Sequence, residues 1–312
     1  MIKTSKLDQI QLFLENNRGY LKWGKDKLAK KLNCKPGDII EVRRKIYNGD
    51  KVNFIHLPNI LILDIETAPL KAFVWRRWNQ NIYLDQTISE WYMLTWSAKW
   101  LGDDKVMSAR LTGEESLKEN DERIVKELWD LINDADIVIA HNGDKFDIPK
   151  INSRFIINNL PPTSFYQQID TKKVAAKQFG FSSNKLDALA TYFNIPNKIK
   201  TDMQLWVDCV NGSDEALKKM EIYNIEDVNI LEKVYLRLRG YIKNHPNVTL
   251  YDDVSDPNRC PTCGSSKKQE EDYYYTTVGQ FQVYRCLSCG ALYRSRKAVK
   301  RGVVTANLSL GR

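Results

Sequence analysis

The chain has 312 residues, 43% of them hydrophobic and 28% charged, with a formal net charge of +8. That is ordinary usage for a globular protein with room for one substantial core and one or two satellites. The longest apolar runs, such as Ile60–Leu63 and Ile137–Ala140, are strand-length, which excludes a bilayer span, and the opening MIKTSKLDQIQ lacks the apolar stretch of a secretory signal. A cytoplasmic protein is the expectation.

The charge is unevenly spread. Residues 1–56 hold 13 Lys/Arg against 6 Asp/Glu, residues 57–241 have a net charge of −4, and residues 242–312 one of +5. Basic flanks around an acidic centre suit an enzyme that holds phosphates at its edges and cations in its middle. They equally suit a protein that is merely kept soluble by its ends.

In chain order, Leu7, Ile10, Leu12, Phe13 and Leu14 have the spacing of a first amphipathic helix. Lys25–Leu32 predicts a second, Asn33–Gly37 with Pro36 a turn, and Gly37–Asp38 opens a third running to Tyr47. Three short basic helices with a tight turn over residues 1–56 have the outline of a helix-turn-helix module. DNA binding and a packing or protein-contact role both remain open for it.

At Asn59 the pattern changes. Asn59–Glu66 (NILILDIE) predicts a strand, residues 88–111 two more, Ser116–Ile132 one helix, and Asp136–Ala140 a buried strand. Helices are predicted near 148–158, 171–179, 185–193 and 214–241, with a strand near 165–169. Strands followed by alternating strand and helix indicate a mixed α/β domain with helices packed on its sheet, over residues 57–245.

Three segments in this domain hold polar residues that a core does not need. Asp64 and Glu66 lie two apart near a strand end, so both side chains share one face and repel until a cation relieves them. In AHNGDKFD a buried strand ends at Ala140 and Asp147 begins a helix, with Asn142 and Phe146 beside it. In YNIED, Tyr223 and Asp227 are four apart on a helix and point the same way. Asp144 and His141 read as loop residues, Asp170-Thr171 as a helix cap, and Glu226 as a solvated neighbour about 100° round the helix.

DIET, AHNGDKFD and YNIED, in this order, resemble the three exonuclease motifs of the DnaQ-like (DEDD) superfamily, over residues 58–241. The tyrosine four before the last aspartate resembles the DEDDy branch; the sister branch has a histidine five before, where this chain has Ile222. The resemblance implies an RNase H-like fold and a 3′→5′ exonuclease. Asp64, Glu66, Asp147 and Asp227 would ligate two Mg²⁺ or Mn²⁺ ions, and Tyr223 would orient the attacking water. The implied products are nucleoside 5′-monophosphates, released from the 3′ end of single-stranded DNA. RNA is the alternative substrate, and a DNA-binding adaptor without catalysis is the rival of another class. Chains of this makeup also resemble those of bacteria and bacteriophages.

Five of the eight tryptophans lie between Trp75 and Trp100. Trp96 and Trp100 read as core, while Trp75 and Trp78, flanking Arg76 and Arg77, stand open between core and stacking on unpaired bases. Near the C-terminus, Cys260-Pro-Thr-Cys263-Gly and Cys286-Leu-Ser-Cys289-Gly form two knuckles suited to one tetrahedral, structural Zn²⁺. Residues 246–312 thus resemble a zinc ribbon followed by a basic, disordered tail that begins at RSRKAVKR. Zinc ribbons also make protein contacts, so a replication or repair protein partner is an open expectation. Cys34 and Cys209 read as ordinary thiols.

Overall fold

The computed structural model describes residues 5–16, 25–35, 37–39, 41–42, 58–196, 201–251, 259–277 and 279–301. They fall into two compact units. One is Asn59–Leu238; the other takes in the described residues of Met1–Pro58 and Arg239–Arg312.

In the N-terminal segment, α1 (Lys6–Asn16) and α2 (Lys25–Lys31) are followed by helical residues at 37–39 and 41–42. The rest of the predicted third helix lies outside the described residues. Ile10, Leu14, Leu28, Ala29, Ile39 and Val42 form a small core of their own. Ser5 starts α1 by a reciprocal cap, its hydroxyl accepting from the Asp8 amide at 3.2 Å while Asp8 accepts from the Ser5 amide at 3.1 Å.

The larger unit opens with β1 (Ile60–Thr67), then a short pair, β2 (Lys71–Ala72) and β3 (Thr87–Ser89), then β4 (Met93–Trp100) and β5 (Met107–Arg110). Helices α3 (Gly113–Leu117) and α4 (Glu122–Asn133) follow, replacing the single helix expected over Ser116–Ile132. The break has a tertiary cause. Asp121 is drawn into the interior, where Arg154 donates to both its oxygens at 2.6 Å and the Met93 amide adds a third bond at 2.9 Å. Next come β6 (Ile137–Ala140), α5 (Asp147–Ile157), β7 (Gln167–Asp170), α6 (Thr171–Gln178) and α7 (Leu186–Tyr192). The unit closes with α8 (Met203–Val210) and α9 (Asp214–Leu238).

Five strands form one mixed sheet in the order β5-β4-β1-β6-β7. β1, β6 and β7 run parallel; β4 and β5 run antiparallel to their neighbours. Period-two alternation then sorts side chains to two faces. On β4, the Trp96 indole donates to the Ile124 carbonyl of α4, whereas Lys99 pairs with Glu232 of α9 at 2.6 Å. Helices therefore cover both faces, and Asp64, paired across from Ser97, lies on the α9 side. Trp96 is buried and Trp100 packs against the same core, as expected.

After α9, a ribbon is built from β8 (Lys268–Thr276), β9 (Gly279–Cys286), β10 (Leu292–Arg294) and β11 (Lys300–Arg301), with β9 in the middle. The basic segment expected to be a disordered tail instead ends in β11, paired with β9 at Lys300–Gln280. The pairing gives its backbone the partners that charge alone does not suggest.

Candidate active site

Parallel pairing of β1 with β6 brings the C-terminal ends of both strands to one edge of the sheet. From β6 the chain turns at once into α5. Asn142 takes φ +74°, and a side chain at Gly143 would meet the Ala140 Cβ at 2.6 Å, so the turn depends on these two residues. It delivers Asp147 to β1, where the Ile65 amide donates to its Oδ1 at 3.3 Å. On β1 the register with β4 shifts between Glu66 and Thr67, a bulge that re-aims the strand end. Across the sheet, α9 presents Tyr223, Asn224 and Asp227.

Oxygens of Asp64, Glu66 and Asp227 all lie within 4.8 Å of one another. Asp147 adjoins this triad, its charge acting on both Asp64 and Glu66. Burial pushes the Asp64 carboxyl well above the usual carboxylate range, and the charges of Asp147, Glu66 and Asp227 push it further. Glu66 rises to about 8 by burial and then by Asp227 and Asp147. Asp147 rises to about 7 by burial, against hydrogen bonds from backbone amides, its own and that of Ile65. Hard oxygen ligands crowded beyond what their own charges tolerate fit a divalent cation, whose charge reverses each of these shifts.

Two further groups complete the constellation. The Tyr223 hydroxyl hydrogen-bonds Asp227, and burial followed by the carboxylate charges holds its pKa far above the usual phenol value. Asn224 is fully buried and donates to Asp64 Oδ2 at 2.5 Å. Sequence reasoning gave Asn224 no role, since its partner lies 160 residues away. Its position one residue after Tyr223 was the only available signal.

The neighbouring residues sort as expected. Asp144 points to solvent and pairs with Lys173 at 2.8 Å. Asp170 caps α6 and also accepts from the Asn142 and Asp144 amides, bracing the turn before Asp147. His141 bonds Thr171 and Asn184, and burial lowers it to about 4, so it is a neutral structural ring. Glu226 is exposed. Beside the strand end an open groove of about 540 Å³ runs along Thr67–Leu70, Trp91, Lys150 and Trp206. Lys150 stands one helical turn beyond Asp147, with its ammonium 3.7 Å over the Trp91 ring.

The ribbon holds a second candidate metal centre. The four thiols of Cys260, Cys263, Cys286 and Cys289 lie within 4.8 Å of one another and form no disulfide. Sγ separations of 3.7 Å (Cys260–Cys289) and 3.6 Å (Cys263–Cys286) match the roughly 3.8 Å edge of a tetrahedron with metal–sulfur bonds of about 2.3 Å. Both knuckles turn through a glycine at φ +75°, Gly264 and Gly290, each donating back to the first cysteine's carbonyl. The cluster is compatible with a zinc ribbon.

Among the described residues no helix is long and apolar enough to cross a membrane. A search of curated proteins finds no match. A protein-family model described as the RNase_H superfamily matches residues 98–239, taking in Asp147, Tyr223 and Asp227 but not β1. The mixed five-stranded sheet flanked by helices fits that assignment, with a sheet order of 3-2-1-4-5 when its strands are numbered along the chain. Fold and match together support an RNase H-like domain and, with it, a nucleic-acid-cleaving hydrolase of a group that uses divalent metals.

Proposed function

We propose that the chain is a metal-dependent 3′→5′ exonuclease of the DEDDy type, acting on single-stranded 3′ ends with DNA as the preferred substrate. The observation behind this reading is the convergence of Asp64, Glu66 and Asp227 within 4.8 Å, with Asp147 against β1 and Tyr223 bonded to Asp227. Asp64, Glu66, Asp147 and Asp227 would hold two Mg²⁺ or Mn²⁺ ions. When bound, such ions activate water and stabilise the leaving 3′ oxygen.

The protein's own groups supply positioning. Asn224 fixes the rotamer of Asp64, so that this carboxylate faces Glu66 and Asp227 before any ligand arrives. Tyr223, its proton held on Asp227, serves as a hydrogen-bond partner that orients the attacking water rather than as a base. The groove from Thr67 to Trp206 receives the terminal nucleotide, and Lys150 stands where a phosphate passes. In the ribbon, four cysteines would hold one structural Zn²⁺ and leave no coordination site for chemistry.

A time course on 5′-labelled single-stranded DNA and RNA of one sequence, with Mg²⁺, Mn²⁺ or EDTA, tests this. The expected result is a ladder shortening from the 3′ end, nucleoside 5′-monophosphate as product, and no reaction in EDTA. Internal cuts without a ladder would replace the exonuclease with an endonuclease; faster loss of RNA would change the substrate. No cleavage of either would return the chain to a binding role.

A further inference from the structure

The stretch between β2 and β3 is unlike the rest of the domain. At its base, the Phe73 amide donates to the Gln86 carbonyl at 2.9 Å, and the Gln86 side chain bonds Phe73 and Tyr83. The stem is tied to the turn between α3 and α4, where Glu119 accepts from Ser89 at 2.6 Å and pairs with Lys71 at 3.6 Å. Beyond this braced stem the tip is bare. Trp75 is 95% exposed, Trp78 79%, Phe73 74% and Tyr83 68%. Indole rings left in water cost free energy unless a ligand covers them. Arg76 and Arg77 stand between the two tryptophans, both exposed, and no acidic residue occurs from Phe73 to Leu84.

Flat aromatics interleaved with guanidinium groups form a surface for unpaired bases and their phosphates. A duplex hides its base faces, whereas a single strand offers bases to stack on the rings and phosphates to meet the guanidinium groups. The root of the flap continues from Thr67–Leu70, which line the groove beside Glu66. A strand whose 3′ end lies at the carboxylates therefore has the flap within reach.

We propose that residues 73–84 are a single-strand clamp, in which Trp75 and Trp78 stack on unpaired bases and Arg76 and Arg77 meet phosphates. The ligand class rests on the nuclease reading, but the test does not need cleavage. Binding of a labelled 30-nucleotide single strand to the full-length protein is measured in EDTA, alongside tryptophan quenching. Trp75→Ala/Trp78→Ala should weaken binding at least tenfold and lose most of the quenching. Arg76→Gln/Arg77→Gln should weaken binding and flatten its salt dependence. All four side chains are exposed, so thermal midpoints should stay at the wild-type value. Single-strand affinity unchanged in both variants would overturn the clamp, whether or not the wild type cleaves. So would wild-type self-association that the tryptophan variant abolishes. Normal flap-dependent binding with no cleavage would instead overturn the exonuclease reading and leave the clamp standing.

Discussion

Asn224 donates to Asp64 at 2.5 Å from a fully buried position, and a carboxylate oriented in this way is poised before a cation arrives. Removing the amide should loosen the site without emptying it. Asn224→Ala is expected to raise the Mn²⁺ concentration for half-maximal activity by roughly 10- to 100-fold, with kcat at saturating metal less affected. An unchanged metal titration would remove Asn224 from the site. Tyr223→Phe should act the other way, lowering kcat by about 100-fold while Mn²⁺ binding measured directly stays the same.

The same residues set a pH dependence. Glu66 at about 8 and Asp147 at about 7 lie above their values in the unfolded chain, so the folded state holds protons that the unfolded state has released. This stability is fully present below about pH 4 and is lost as pH rises through 7 to 8. Thermal melts in EDTA should therefore show a falling midpoint between pH 5 and 8. Mn²⁺ should restore more at pH 8 than at pH 5.5, since a cation replaces the missing protons. A midpoint flat with pH in EDTA would mean the carboxylates are not crowded.

Among the elements, α9 has the widest duties. Its 25 residues span about 37 Å, with Leu217 and Met220 in one core and Val234 and Leu238 in another. Between these, Glu232 pairs with Lys99 of β4, both side chains nearly buried. Glu232→Ala leaves an ammonium without its counter-charge and should cost about 3 kcal/mol in chemical denaturation. Replacing both by Met and Leu should recover most of that. If Glu232→Ala is neutral, water reaches Lys99 and the pair does not hold α9 to the sheet.

The ribbon is held differently. Among the described residues its core is little more than the four cysteines, Ala291 and Tyr293, a small body for burial alone to hold. Stripping the metal with a strong chelator should unfold it and release one zinc ion per chain. No tryptophan lies beyond residue 206, so tryptophan emission should hardly change while far-ultraviolet dichroism does. A metal-free ribbon with unaltered dichroism would contradict a metal-dependent fold.

At the scale of the whole chain, the elements that sequence reveals are those whose pattern is local. β1, β4, β6 and α9 show their period directly, because one face or both is apolar along the run. The break between α3 and α4 was not legible, since Ser116–Ile132 is rich in helix formers and the groups that pull Asp121 inward, Met93, Arg154 and Asn158, lie far from it in the chain. β2 and β3 are defined by pairing across a long excursion and have no pattern of their own. α8 was missed because its eight residues are too few to show a helical period, and it is the Asp202 cap, accepting from the Leu205 amide, that starts the helix. Spacing put Asp64 and Glu66 on one strand face and Asp227 beside Tyr223 on one helix face, while the set of four with Asp147 came from the resemblance. Their convergence was not legible, because it depends on β1, β6 and α9 meeting at one sheet edge.

On the proposed function, the carboxylates at this sheet edge do the chemistry. The most direct measurement compares wild type, Asp64→Ala and Asp227→Asn on 5′-labelled single-stranded DNA with Mg²⁺ or Mn²⁺, after melts confirm that each is folded. Wild type should shorten the strand 3′→5′, and both variants should lose roughly 1,000-fold or more of that activity while keeping single-strand binding. Variants that shorten the strand at the wild-type rate would contradict this and place the active site elsewhere.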